Sequence, residues 1–567
     1  MTQTTNQLTG GEAVVRMLQR YDVKYIFGLC GDTSLPFYDA LHRLDHGITH
    51  ILSRDERSAA YMADGYARVT GKVGVCEGPS GGGATYILPG LVEANESSYP
   101  VLAITTDIAV GSRGKYTLTE LDQKALFAPL TKWNAVIDRS ADVPKLLRAA
   151  FKAMTTGRPG AAHLGLPFDV QNAPVDESDV WAEPAHGRYP AWPSAPASDD
   201  VARAAELLLA AREPIAICGG AVINAGGEAE LLALAEALAM PVATTISGKG
   251  SLADGHPLGV GVVGSNGGTP ETRALVDAAD LVLFIGCRAG SVTTERWRHP
   301  APGAAKVIHI DVDPGVIGVT YAADAALVGD ARLALAALNA EIGGKRREPG
   351  DALNRAAVAA ARDAKFAAFH ELATSNATPI RPERVVATLN EILPDDAVIV
   401  ADPGTPCPYF AGYYRLGRSG RQFISNRAHG ALGYSLSAAV GAHLGRPQVK
   451  TVSVMGDGSF GFTSGELETV VRLGLPITFV VISNAVFGWI KAGQKSGFNE
   501  RYFSVDFSRT DHARVAAAYG VKTWSVENPA DLHGALAAAC AHGGPALVDV
   551  VCQPLQEARA PVSEWVA

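Results

Sequence analysis

Along the chain, short unbroken apolar runs alternate with longer stretches in which apolar residues recur every three or four positions. The runs read VKYIFGL, GKVGVCE and YPVLAITTD in the first third. PIAICGG, MPVATTI, LVLFIGC and KVIHIDVDP follow in the middle, and DAVIVADPG, TVSVMGDGS, PITFVVISN and PALVDVVCQ in the last third. Continuous runs of this length, bounded by Gly, Pro, Asp or Asn, predict strands buried on both faces, as in a parallel sheet. The helical stretches between them predict βα units. Two joints interrupt the alternation: PAHGRYPAWPSAPASDD, and GGKRREPGD with a polar-rimmed helix after it. The pattern predicts an α/β protein of three doubly wound parallel-sheet domains, at roughly 1–180, 198–343 and 376–567. The first and third are expected to be similar folds. No short-period repeat or low-complexity tract is visible.

Composition narrows the class. The chain has 567 residues, 47% hydrophobic and 19% charged, which is enough for three cores. A net charge of −9 argues against binding nucleic acid or an anionic membrane. The seven cysteines show no C-x-x-C spacing, and most lie in apolar runs, where reduced core thiols are expected. The first residues lack a basic–apolar–small signal pattern, and no run of about 18 apolar residues suggests a membrane span. The expectation is a cytoplasmic enzyme acting on a small molecule.

Residues 451–491 carry the most chemistry. An apolar strand ends in Gly456-Asp457-Gly458-Ser459, a helix follows with an expected cap at Thr463 or Ser464, and a second strand delivers Ser483-Asn484. Both strand ends of a βαβ unit open on the same sheet edge, so Asp457 and Asn484, 27 positions apart, can meet there. One carboxylate and one amide oxygen suit Mg²⁺, which takes few protein ligands and fills its shell with phosphate oxygens and water. The implied ligand is therefore a diphosphate, approached by the N–H groups of the flanking glycines. The same residues fit G-x-G-x-x-G, a dinucleotide fingerprint. That reading wants an acidic residue at the end of the next strand, where Ser483-Asn484-Ala485-Val486 has none.

This motif resembles that of the thiamine diphosphate (ThDP) enzymes, and much of the chain is similar to the acetolactate synthase and 2-oxo-acid decarboxylase superfamily. The resemblance implies pyrimidine-binding, central and diphosphate-binding domains in that order. It implies Mg²⁺ held by Asp457, Asn484 and the main-chain carbonyl of Val486. Diphosphate contacts would come from Asp402-Pro403-Gly404-Thr405 with Gly458 and Ser459. SRDERSAAYMADGYAR resembles the family's H-E-x-x-A-x-x-x-A-D-G-Y-A-R segment, with Asp55-Glu56 for His-Glu, which makes Glu56 the catalytic carboxylate at the aminopyrimidine ring. A raised carboxyl pKa would help it protonate that ring. Without the resemblance Glu56 would read as a surface helix carboxylate. In SNRAHGALGYSL, Leu432 matches the apolar residue that bends the cofactor, and the Gly430 carbonyl the acceptor of its amino group. The family builds its active site at a subunit interface, which implies a homodimer or homotetramer.

Departures from the family bear on the reaction. Asp32 in FGLCGDTSLPF matches an aspartate of pyruvate decarboxylases, but AVGSRGKYTLTELDQ has no His-His pair and the place of their glutamate falls on Ile490. With fewer proton donors, the decarboxylated intermediate is expected to attack a second carbonyl rather than leave as aldehyde. The tryptophan of acetolactate synthases falls on Gly493, while Trp489 stands where relatives have a smaller residue. The GPGATN turn appears as Gly81-Gly82-Gly83-Ala84-Thr85-Tyr86. The substrate pocket is therefore expected around Asp32, Tyr86, His429, Trp489 and Ile490, each of which could equally be a packing residue. Gly286-Cys287-Arg288-Ala289-Gly290 lacks the acidic continuation of the FAD-binding relatives, so FAD is doubtful. The expected activity is C–C bond formation or cleavage on a small 2-oxo acid or 2-hydroxy carbonyl compound. The alternatives are a simple 2-oxo-acid decarboxylase, or an enzyme like the oxalyl-CoA decarboxylases and 2-hydroxyacyl-CoA lyases, whose E-x-D-Q segment LTELDQKALF resembles. A pyruvate oxidase type would need a flavin, and a regulatory chain would have lost Glu56 or the metal motif.

Overall fold

The computed structural model describes residues 7–565; the expectation about a leader concerns, in part, residues 1–6, which lie outside them. Three six-stranded sheets carry the chain, each with all its strands parallel. The first runs, edge to edge, Thr49–Leu52, Tyr25–Gly28, Gly74–Gly78, Val101–Asp107, Ala162–Pro167 and Trp133–Val136. The third runs Phe423–Ser425, Val398–Ala401, Thr451–Gly456, Thr478–Ser483, Ala546–Val551 and Lys522–Val526. Counted in chain order, both follow the order 2-1-3-4-6-5, so the expected likeness of the first and third stretches holds at the level of topology. The middle sheet is 3-2-1-4-5-6, the order of dinucleotide-binding α/β folds.

The continuous apolar runs are explained by burial on both faces. Every residue of Val101–Asp107, Leu281–Ile285 and Thr478–Ser483 is buried beneath helices. In the 2-1-3-4-6-5 order the connections leave in opposite directions from strands 1 and 3. Between their carboxyl ends opens the crevice where such sheets bind ligands.

The chain divides into two compact units. One comprises the chain through Trp192 with Asn426–Pro447 and Thr463–Leu473; the other comprises Pro193–Ser425, Gln448–Phe462 and Gly474 onward. In the first unit, helix Tyr434–Gly445 crosses helix Glu56–Thr70 at backbone contact. A Cβ on Gly65 would lie 2.2 Å from the Ala438 carbonyl oxygen, and one on Gly441 1.8 Å from that of Met62. No larger residue fits either position without parting the helices. All seven cysteines are free, and among the described residues no helix is long and apolar enough to cross a membrane.

Candidate functional site

In the first unit, Glu56 opens helix Glu56–Thr70. Asp55 caps that helix by accepting from the Arg57 N–H at 2.8 Å, which turns Glu56 inward. Glu56 is 5% exposed. Its floor is glycine: a Cβ on Gly78 would lie 3.1 Å from Glu56 Cγ, and one on Gly83 3.1 Å from its Oε1. Burial pushes the Glu56 carboxyl above the usual range; its backbone hydrogen bond opposes this, and the charges of Asp55 and Glu77 add to it. The carboxyl is thus biased toward holding a proton.

Asp32 and Tyr86 are exposed: Asp32 starts a short 3₁₀ turn and accepts from the Thr33 N–H, and Tyr86, 62% exposed, ends the short helix Gly82–Tyr86. Loop 426–433 belongs to the same unit and is pinned from below. Glu93 Oε2 accepts the His429 N–H at 2.7 Å, while Arg68 bridges Glu93 and Asp64 at 3.0 and 2.8 Å. Tyr434 donates to Asp64 at the start of the next helix. This buried charge network holds Gly430, which needs its φ of +71°, and the half-buried Leu432 just ahead of that helix. Removing one partner of such a network typically costs about 3–5 kcal/mol.

In the second unit, the two halves of the residue 451–491 motif do converge. Asp457 Oδ2 accepts the N–H groups of Asn484 and Ala485 at 2.7 and 2.6 Å, and Oδ1 accepts that of Gly458 at 2.8 Å. The carboxylate staples the ends of strands Thr451–Gly456 and Thr478–Ser483. It lies 5% exposed, and burial raises its pKa against the three N–H donors. Ala485 is held at a φ of +55°, an uncommon conformation for a residue with a side chain, by its bonds to Asp457 and to the Phe507 N–H. Among the described residues the Asn484 side chain and the Val486 carbonyl make no hydrogen bond. One buried carboxylate, one unspent amide and one unspent carbonyl suit a small oxygen-seeking cation. No group of three His, Cys, Asp or Glu side chains placed to hold a metal ion exists among the described residues, so any cation here depends on neutral oxygens besides Asp457.

Thr405 and Gly404 follow strand Val398–Ala401 on the neighbouring side of the crevice. Gly404 has a φ of +89°, and Thr405 leads into helix Pro406–Tyr413. A Cβ on Gly458 would lie 2.8 Å from the Phe487 ring, so a larger residue there would push that ring aside; Ser459, 3% exposed, follows on the helix. Trp489 packs edge-on against Trp565 and the core around it, whereas Ile490 is 55% exposed.

One expectation is corrected. The helix after the glycines begins at Asp457 itself and runs to Thr463, then passes through a 3₁₀ turn into helix Leu467–Arg472. Thr463 does stand at the N-cap position of that 3₁₀ turn, but it makes no side-chain cap bond: its hydroxyl donates to the Gly433 carbonyl instead. Of the face expected from Leu467, Val470 and Val471, the first two are buried and Val471 is half-buried. Sequence reading also missed the Asp55 cap, the glycine floor at 78 and 83, and a polar cluster behind Asn484. There Ser483 donates to Asp549 and lies 3.0 Å from His512 Nδ1, all buried. The signal for the cap was present, an Asp directly before a helical stretch.

Comparison with known proteins gives the family. Residues 8–126 match the thiamine pyrophosphate enzyme N-terminal TPP binding domain, residues 201–338 its central domain, and residues 402–550 its C-terminal TPP binding domain. A probable acetolactate synthase large subunit of Methanocaldococcus jannaschii is 34% identical, covering 97% of this chain and 93% of that protein. The acetolactate synthase of Arthrospira platensis is 31% identical, with 97% and 95% covered. The acetolactate synthase isozyme 3 large subunit of Escherichia coli is 32% identical, with 94% and 92% covered. The chain belongs to the thiamine pyrophosphate enzymes, in the acetolactate synthase large-subunit family, and is a thiamine diphosphate-dependent enzyme of the carboligase type.

Proposed function

We propose that this enzyme joins two small 2-oxo acids, such as pyruvate, with loss of one CO₂ to give a 2-hydroxy-2-methyl-3-oxo acid of the acetolactate kind. The observation that carries the reading is the Asp457 staple, which leaves the Asn484 amide and Val486 carbonyl unspent beside it. In this reading Asp457, Asn484 and Val486 hold Mg²⁺, and Gly404, Thr405, Gly458 and Ser459 receive the diphosphate. The three domains are residues 1–180, 198–343 and 376–567, and the protein works as a cytoplasmic homodimer or homotetramer.

When bound, ThDP supplies a carbanion at its thiazolium C2 and an electron sink for decarboxylation. Glu56 holds a proton at the aminopyrimidine nitrogen, helped by burial that favours its neutral form. Gly430 would offer its carbonyl to the cofactor's amino group, and Leu432 would give it apolar support. Ile490 presents an apolar, exposed surface where a carboxyl group would otherwise deliver a proton. General acid assistance typically contributes about 10²–10⁴-fold, so its absence favours attack on a second carbonyl over aldehyde release. Asp32, Tyr86, His429 and Trp489 complete the proposed substrate surroundings, and no flavin takes part.

The test is turnover of pyruvate, glyoxylate, benzoylformate and 2-hydroxyacyl-CoA with ThDP and Mg²⁺, with mass detection of aldehyde and ligated products. The absorbance spectrum of the purified protein tests the absence of flavin. Quantitative conversion of 2-oxo acids to aldehyde under excess acceptor overturns the carboligase reading.

A further inference from the structure

Helix Arg355–Ala373 turns Phe369 and Ala373 into the core beside the third sheet and keeps Phe366 half-buried next to them. It packs against helix Pro382–Ile392, which packs in turn against helix Leu532–Ala541. Where these elements face one another, Ala373, Ala387 and Ala530 stand in place of side chains long enough to interlock. The result is a cavity of about 580 Å³, lined entirely by residues of the second unit. Close-packed interiors hold few voids larger than a water, and small-molecule sites typically measure about 300–1,000 Å³.

The cavity has an aromatic floor. Phe366 and Phe369 meet edge to face at 5.9 Å, and Phe369 stacks on Tyr413 at 4.6 Å. Two guanidinium groups line the walls. Arg384 Nη1 donates to the Ser375 carbonyl at 2.8 Å and to Asn376 Oδ1 at 3.0 Å, just past the end of helix Arg355–Ala373. Those bonds fix the group and leave its Nε and Nη2 without a partner among the described residues. The Arg415 guanidinium lies 5.6 Å from the Phe366 ring centroid and has no hydrogen bond or ion pair among the described residues. Asn390 holds the Arg415 backbone: its Oδ1 accepts the Arg415 N–H at 2.9 Å, while its Nδ2 donates to the Tyr413 carbonyl at 3.1 Å. Walls set in advance lower the ordering that a ligand must impose.

Among the described lining residues only Glu391 is acidic, and it is exposed at the rim. Two guanidinium groups against one carboxylate leave the lining positive. His370 and His533 add a ring N–H each in any protonation state. We propose that this cavity binds a small anion made of a planar ring and one carboxylate or phosphate group, with the ring on Phe366 and Phe369 and the oxyanion between Arg384 and Arg415. A guanidinium pairs its N–H donors with either oxyanion, so the two share one recognition chemistry. An ion without a ring gains the guanidinium contacts but leaves the aromatic floor in water, and should bind more weakly.

Ligand-observed NMR titration of the full chain, saturated with ThDP and Mg²⁺ so that the cofactor crevice is filled, tests this with benzoate, adenosine 5′-monophosphate and inorganic phosphate. At least one of the two ring anions should bind saturably at or below about 1 mM, and the tighter of the two identifies the oxyanion. Inorganic phosphate should bind at least about tenfold more weakly. Arg415→Gln, which removes one exposed guanidinium, should weaken binding of the ring anion by about tenfold or more. Ala387→Phe, which fills the cavity from helix Pro382–Ile392, should abolish it; Arg415→Gln serves alone if that variant does not fold. Absence of saturable binding by both ring anions overturns the site, and so does binding that a folded variant leaves unchanged. Phosphate held as tightly as the ring anions overturns the proposed role of the aromatic floor.

Discussion

Asp457 staples two strand ends and, in the proposed reading, also holds Mg²⁺; paired substitutions separate the two roles. As a staple it accepts three backbone N–H groups, two on Oδ2 and one on Oδ1. Hydrogen bonds to a charged group contribute about 1.5–3 kcal/mol each, so the gross stabilisation is roughly 5–9 kcal/mol. Against this stands burial of the charge, and the raised pKa shows that burial wins over the three donors when no cation is bound. Asp457→Asn keeps one oxygen for the Asn484 and Ala485 pair but turns its NH₂ toward the Gly458 N–H. That orphans one donor, at about 1–3 kcal/mol, while removing the buried charge. The two nearly offset, so the cofactor-free chain should stay within about 2 kcal/mol of the unsubstituted protein. Asp457→Ala orphans all three donors and should cost about 3 kcal/mol or more. In the proposed metal role, however, neither variant keeps the charge that Mg²⁺ needs. Urea unfolding with and without ThDP, Mg²⁺ and chelator reads both effects. Ligand at about a hundred times its Kd should stabilise the unsubstituted protein by about 2.7 kcal/mol and both variants by nothing. Chelator-sensitive stabilisation of full size in Asp457→Asn would refute the metal role, and equal stability of Asn and Ala variants would refute the staple.

Three further outcomes are expected. Glu466, which accepts from the Arg54 N–H at 2.7 Å and from Thr469, is pushed up to about 7 by burial. A raised folded-state pKa means that its stabilising proton is fully present below its ordinary 4.5 and is lost as pH rises through about 7. Glu466→Gln should therefore flatten the fall in stability between those values, by roughly 3 kcal/mol across the window, and an unchanged slope in pH-dependent denaturation would count against it. Gly441→Ala should destabilise by about 3 kcal/mol or more, because its Cβ meets the Met62 carbonyl and not a movable side chain; thermal unfolding at wild-type temperature contradicts this. Ile490→Glu should divert product toward free aldehyde in mass-detected turnover of a 2-oxo acid, and an unaltered product ratio would remove Ile490 from that choice.

The sheets were legible because a strand buried on both faces must be apolar throughout, which leaves its imprint in one dimension. The Asp457–Asn484 meeting was legible for a similar reason: βαβ geometry brings two successive strand ends together whatever the intervening helix does. The start of that helix was misplaced because the glycines around Asp457 read as a loop, whereas the carboxylate's own bonds begin the helix there. Glu56 was identified by resemblance, since a glutamate at a helix start is ordinarily exposed; what buries it is the bare strand end at Gly78 and Gly83. Glu93 beneath His429 and Glu466 beneath Arg54 join residues more than 300 positions apart, and no local pattern encodes such pairs.

Where two helices touch backbone to backbone, displacement passes between them without the slack that side-chain rotamers provide. Glu56 is the first residue of one such helix, and Leu432 stands two residues ahead of the other. The crossing at Gly65 and Gly441 therefore works as a gauge block between Glu56 and Leu432, the proposed carboxyl and ring support. Trimming side chains in the surroundings enlarges the room for a substrate but does not alter that setting. Breathing must come from the loop 426–433 or the turn 78–83, so engineering for bulkier donors should begin with those two stretches of chain.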